Sequence, residues 1–296
     1  MIGKFFIAAL FGIILIQPAY SQCSDAGICF LGKRNKVGIK QDLSIFSLGY
    51  QYGYSGKDPD INGALNDLVF NSIALSVDLS LTKNSRLSFS IPYTLIEGPL
   101  GSNRGIGDLS AIYSQSFIIK KTHNLTFSAG GKISVADVNT TDSLPQRYMP
   151  GFGTNDLIIG ALYSYSYYSV SAAYQKPFGR NSNFRTRLKR GDDFMFRAGY
   201  SQQFGKVSVK GEIITIIRIQ PPSVLGTSVP PQETFIEVEG SNEPQVNLFA
   251  SVSYRISENF LITGEAALPF LQRDYNYDGL KRTFTAGLSV SYLYKL

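Results

Sequence analysis

Two stretches, Gly105-Ile106-Gly107-Asp108-Leu109 and Gly153-Thr154-Asn155-Asp156-Leu157, each set an aspartate between glycine-bearing residues and an aromatic-rich segment. A carboxylate in that place can bond its own backbone at a turn or pair with a nearby lysine or arginine. It can also line the mouth of a solute route, or act as an acid or base. Acid–base catalysis needs a nucleophile, a base and an oxyanion site in one constellation. The 296-residue chain has a single histidine, His123, and assembles nothing of that kind. An enzyme is therefore not expected. Cys23 and Cys29 stand in "CSDAGIC", a C-x5-C spacing with no histidine or second cysteine pair beside it. That spacing points to a disulfide closing a small loop rather than to a metal or redox site. No cofactor and no metal are implied.

The elements that hold these residues announce themselves through composition. There are 18 Tyr and 20 Phe but no Trp, and charged residues make up 17% of the chain, below the roughly 25% of an average soluble domain. The formal charge of +6 is scattered rather than gathered on one stripe, so no nucleic-acid partner is expected. At the start, Lys4, the apolar "FFIAALFGIILI" and the small residues of Ala19-Tyr20-Ser21 read as a signal peptide, residues 1–21, cleaved before Gln22. The apolar run Phe5 to Ile16 is too short for the roughly 20 residues of a spanning helix. Lipid attachment at Cys23 would need a small residue where Gln22 stands. An exported chain also suits a disulfide.

From residue 44 onward, apolar and small polar residues alternate. In "QVNLFASVSY", Val246, Leu248, Ala250, Val252 and Tyr254 share one parity, and Asn247, Phe249, Ser251 and Ser253 the other. Period two means strand. Twelve such segments are expected, at about 44–54, 70–81, 86–95, 107–118, 124–135, 156–166, 168–178, 193–203, 206–218, 245–255, 259–270 and 282–294. The connections between them alternate strictly between long and short. An even strand number, segments near the roughly 9–11 residues of a tilted membrane strand, and short turns at one rim with long loops at the other describe an outer-membrane barrel. A soluble β-sandwich would alternate too. Against it stand the Ser, Gly, Thr and Asn of the polar parity and the aromatics at strand ends, such as Tyr163, Tyr165 and Tyr167. The expected fold is all-β: a 12-stranded antiparallel up-and-down transmembrane barrel over residues 44–296, preceded by a periplasmic or plug segment, 22–43. Its seat is the cell outer membrane, with long loops outside and short turns and termini in the periplasm.

Parity sorts the charges. Leu109 and Leu157 face lipid, so Asp108 and Asp156 face the lumen. With them point Asp78, Arg86, Lys132, Arg197, Lys210, Glu212 and Glu265, and apolar Ile112, Ile158, Leu162, Met195, Ile214, Ile216, Phe249 and Leu261. Buried lone charges are costly, so these are expected to be paired or wetted. Whether they brace the wall or line a selective route is open at this level. So is whether the apolar set forms a route for a greasy solute or packs a small barrel shut.

"SFSIPYTL", the first Gly-x-Gly-Asp and the second Gly-x-Gly-x-x-Asp with "LYSYSYY" resemble a family of outer-membrane barrel transporters labelled as the MetA pathway of phenol degradation. More distantly the chain resembles the fatty-acid porins. The likeness is clearest over residues 86–178. The last strand, with Thr285, Gly287, Val290 and Tyr292, resembles the signal read by the barrel-insertion machinery, although Leu296 stands where many barrels end in Phe. The resemblance implies uptake of small, often apolar molecules, with outer-membrane lipid and the insertion machinery as partners. The expected function is passive, selective passage of a small hydrophobic or aromatic solute. The alternative is a structural or surface-binding barrel that transports nothing and uses its long loops.

Overall fold

The structure is a computed structural model describing residues 42–59, 63–120, 122–138, 144–227, 233–275, 277–279, 281 and 283–295. The signal peptide, the Cys23–Cys29 pair and the segment 22–43 apart from Asp42 and Leu43 lie outside these residues.

In chain order the strands are β1 (Ser44–Pro59), β2 (Leu65–Ser80), β3 (Ser85–Gly98), β4 (Gly101–Ile106), β5 (Leu109–Lys120), β6 (His123–Ile133), β7 (Asn155–Tyr165), β8 (Tyr168–Phe178), β9 (Asp193–Phe204), β10 (Val207–Arg218), β11 (Ser223–Thr227), β12 (Thr234–Glu237), β13 (Gln245–Arg255), β14 (Phe260–Leu271) and β15 (Phe284–Tyr294). Twelve of them form the wall: all but β4, β11 and β12. Each wall strand pairs antiparallel with its neighbours, and β1 closes on β15 from Ser44↔Tyr294 to Tyr54↔Phe284. Closure leaves no unpaired wall edge, which is what a hydrocarbon solvent demands of backbone amides.

Alternation decides which face each residue takes. Phe46, Leu48, Ile73, Phe127, Ile159, Val170, Ile213, Leu248 and Leu288 stand exposed on the outer face, while Ile112, Ile158, Met195, Ile214 and Asn247 are buried within. A closed sheet with an apolar exterior on every side is a membrane barrel's surface. At the short-turn end the outer face turns aromatic, with Tyr163, Tyr165, Tyr167, Tyr168 and Tyr200 all exposed. No helix among the described residues is long and apolar enough to cross a membrane; the chain crosses with strands.

Three expected loops contain strand. The polar stretch after residue 54 continues the β1–β2 hairpin as far as Pro59↔Leu65. A register shift between Tyr54 and Lys57 admits it, with Gly56 at φ +71° and the cross-strand pair Lys57–Asp67 above the shift. The stretch 96–106 is the end of β3 and all of β4, joined at Gly98↔Gly101. In the longest connection, β11 pairs with β12. The rim is therefore taller along β1–β4. A one-turn 3-10 helix, Gln146–Tyr148, packs against that tall wall, where Leu68, Phe70, Ile96, Tyr148 and Met149 form a buried cluster.

Candidate functional site

The repeated Gly/Asp motifs meet at the long-loop end. Residues 107–108 are a bulge: β3 pairs β4 at Tyr93↔Ile106 and β5 at Ser90↔Ser110, a slip of one residue. Gly107 donates its N–H to Pro92 O at 2.8 Å. A Cβ there would come within 2.7 Å of Pro150 O and 2.8 Å of Pro92 Cγ, so only glycine fits. The bulge aims Asp108 inward, where Oδ2 accepts the Phe152 N–H at 2.7 Å. In the second motif Gly153 turns the chain at φ +69°, and Thr154 Oγ1 donates to Asp156 Oδ1 at 2.8 Å. Both aspartates converge on Lys132, whose Nζ lies 3.7 Å from Asp108 Oδ2 and 3.0 Å from Asp156 Oδ2. The Phe152 ring lies 3.9 Å below that ammonium and 4.3 Å below the Arg190 guanidinium, a cation–π arrangement.

From Asp156 the ion pairs continue across the mouth of the barrel. Asp156 Oδ2 accepts Arg190 NH1 at 3.1 Å and Gln175 Nε2 at 2.5 Å. Arg190 NH2 reaches Asp193 Oδ2 at 2.9 Å, and Arg218 Nε reaches Asp193 Oδ1 at 2.9 Å. Arg218 NH1 extends to Asp278 Oδ2 at 2.6 Å, and Arg273 NH2 lies 3.5 Å from Asp193 Oδ1. Four cations (Lys132, Arg190, Arg218, Arg273) thus face four carboxylates (Asp108, Asp156, Asp193, Asp278), all buried. Burial pushes Arg273 down to about 10, helped by the neighbouring Arg218 charge. Burial alone would raise Asp278, but Arg218 and then Arg273 outweigh it and hold the carboxyl below its ordinary range. Arg190, Arg273 and Asp278 sit on the connections after β8 and β14; Lys132, Asp156, Asp193 and Arg218 sit on the wall. The network ties cap to barrel.

Side-chain amides stitch the cap itself. Asn181 Nδ2 donates to Gln146 Oε1 at 2.7 Å and Phe152 O at 2.9 Å, and Asn183 Nδ2 to Val138 O at 2.8 Å. Tyr148 is fully buried; its OH donates to Asp58 Oδ2 at 2.9 Å and accepts the Leu100 N–H at 3.1 Å. Burial, together with the Asp58 contact, pushes its phenol up to about 12 despite the Leu100 N–H.

Beneath the cap the lumen is apolar. Ile112, Ile158, Ala173, Met195, Ile214, Ile216, Phe249 and Ala267 form one buried cluster. Successive register partners wind it round the wall: Ile112–Gly130–Ile158, Ala173–Met195–Ile216, and Phe249–Ala267. Beside it comes a second charged group. Glu212 Oε2 accepts Arg197 NH1 at 3.3 Å, and its Oε1 lies 2.8 Å from Lys210 Nζ. Glu265 is half-buried on β14. Each glutamate rests on a cross-strand glycine: a Cβ on Gly199 would lie 2.9 Å from Glu212 Cγ, and one on Gly287 3.0 Å from Glu265 Cγ. Hydroxyl pairs line the polar parts of the wall, such as Ser76–Ser90 at 3.1 Å and Ser114–Ser128 at 2.8 Å. At the short-turn end Leu43 packs on buried Ile45, Leu261 and Leu293. There Arg86 NH2 donates to Leu43 O at 3.1 Å, and Asp78 accepts the Ser88 hydroxyl.

Of the residues assigned to the lumen by parity, Asp108, Asp156, Lys132, Arg197, Lys210, Glu212 and Phe249 are buried, and Arg86 and Glu265 are partly so. They fall in three groups rather than one: Asp108, Asp156 and Lys132 under the cap, Arg197, Lys210, Glu212, Glu265 and Phe249 further in, and Arg86 at the far end. Sequence reasoning missed five members of the cap network. Asp193 and Arg218 share the inward parity of Met195 and Ile216, so two more residues of the same pattern would have found them. Arg190, Arg273 and Asp278 lie on connections without a period. No group of metal-ligating side chains occurs among the described residues.

Fold and lumen together define a twelve-stranded barrel of the outer-membrane type with a capped mouth. No protein-family profile and no curated protein matches the sequence. Among solved structures, an outer membrane channel from Pseudomonas putida F1 aligns with a TM-score of 0.63 at 13% identity, covering 86% of this chain and 96% of that one. At that identity the likeness is one of fold. The TodX monoaromatic hydrocarbon channel deltaS2 mutant (TM-score 0.47, 12% identity, 86% and 91% covered) and the KdgM porin (0.43, 10%, 83% and 98%) also align, too loosely to bear on function.

Proposed function

We propose that the protein is an outer-membrane barrel for passive, selective passage of a small hydrophobic or aromatic solute, without a cofactor. The observation that carries this reading is the apolar band of Ile112, Ile158, Met195, Ile214, Ile216 and Phe249, lying inside a barrel whose outer face is also apolar. A water-filled pore has no use for such a band; a greasy solute does, since each buried methylene contributes about 0.8 kcal/mol. The charged groups on either side are internally balanced and so repel no neutral solute. In this reading the capped end faces outward, and the short turns and termini face the periplasm. The insertion machinery reads β15. A plug made by residues 22–43 belongs to the same proposal; Leu43, the last of them, packs on Ile45, Leu261 and Leu293.

The closed cap and the complete burial of Ile112, Ile158 and Met195 favour a second reading, a structural or surface-binding barrel that conducts nothing. Single-channel recording separates the two. Transport predicts openings that become more frequent when residues 22–43 are removed. Silence of both forms supports the second reading.

A further inference from the structure

The outer wall has a groove that transport does not use. Across β6, β7 and β8 the outward residues shrink to Ala129, Ala161 and Ala172, with Ala161 and Ala172 directly paired. Tyr113, Phe127, Tyr174 and Phe194 stand around them. The hollow is about 430 Å³ and almost wholly apolar in its lining, within the roughly 300–1,000 Å³ of small-ligand sites. Gln115, at its edge, accepts the Tyr113 hydroxyl at 2.8 Å. Toward the short-turn rim the same strands change character. Tyr163 is the next outward residue on β7, and its OH lies 2.6 Å from His123 Nδ1. His123 stacks 4.5 Å from Tyr165 and is paired across the hairpin with exposed Lys120. Among the described residues this rim carries Lys83, Lys120, Lys206, Arg255 and Lys295 against Asp42 and Glu258.

We propose that this face holds one phospholipid, its acyl chain in the Ala129–Ala161–Ala172 groove and its phosphate at Lys120, His123 and Tyr163. The occupant follows from position and charge. A groove in the lipid-facing wall meets acyl chains, and a cation with two hydrogen-bonding rings one step below meets the headgroup layer. Aromatic residues favour that layer, and each basic residue near an anionic surface contributes about 1 kcal/mol. The inference rests on the membrane-barrel reading of this chain.

Native mass spectrometry of the full-length barrel released from detergent, titrated with phosphatidylglycerol and separately with phosphatidylcholine, tests it. One phosphatidylglycerol is expected to be retained ahead of all others. Ala161→Phe, which fills the groove, is expected to weaken retention of both lipids about tenfold. Lys120→Gln should weaken phosphatidylglycerol alone, about fivefold. Heat-modifiable mobility in gels reports that the variants remain barrels, and Ala250→Phe, outward on β13 and four strands from β7, is the control. Equal retention by wild type, Ala161→Phe and Ala250→Phe overturns the site. A chain that enters liposomes yet shows no preferred lipid refutes the site alone, whereas a chain that does not enter them refutes the membrane reading beneath it.

Discussion

Asp156, on a wall strand, and Arg190, on the connection over the mouth, form a fully buried ion pair at 3.1 Å. The pair joins two parts of the molecule that the backbone alone would leave free to separate. Removing one partner strands the other, and broken buried pairs cost about 3–5 kcal/mol. Asp156→Asn leaves Lys132 and Arg190 short of a carboxylate. Its unfolding free energy, from denaturant titration, should fall by that order, and protease should cut the connection after β8 in folded barrels where wild type resists.

Gly130 lies between Ile112 and Ile158 on one register row. A Cβ there would come within 2.6 Å of Ile112 Cα. Gly211 faces outward with nothing within 4 Å of its Cβ position. Gly130→Val should therefore lose at least about 1–3 kcal/mol of stability, or fail to assemble, and Gly211→Val should behave as wild type. Folded fraction by gel mobility reads both.

Two groups in the cap give it opposite pH limits. Tyr148 titrates at about 12 when folded, against about 10 unfolded. A raised value contributes stability fully below pH ~10, and that contribution is lost as pH rises toward 12. Asp278 is depressed; its contribution holds above its unfolded value near 3.9 and is lost as pH falls below it toward the folded value. Protease sensitivity of the cap should rise outside that window. Tyr148→Phe should abolish the alkaline limb and leave the acid limb in place.

Glu212 holds both Lys210 and Arg197. In a conducting form, Glu212→Gln leaves an excess positive charge in the lumen. The reversal potential in a salt gradient should move toward anion selectivity, roughly twofold in permeability ratio; no shift would place these residues off the ion path.

The wall was legible because its rule is local. Period two assigned Asp108, Lys132, Phe249 and the rest of the lumen set without knowing which strands touch. The cap was not legible, because Arg273 and Asp278 find Arg218 and Asp193 only after the barrel has closed. The β1–β2 and β3–β4 extensions have the sequence of loops, since their polar residues and glycines are those of turns. Their pairing above the rim depends on a register shift at residues 54–57 and a bulge at 107–108.

Solute flux into liposomes tests the central claim most directly, using wild type and the Phe249→Ala, Met195→Ala double variant. The account predicts that benzyl alcohol is taken up faster than a sugar of similar size, and that the double variant, with a wider band, narrows this preference while raising both rates. Equal, background-level entry of both solutes in both proteins would contradict passage through the lumen.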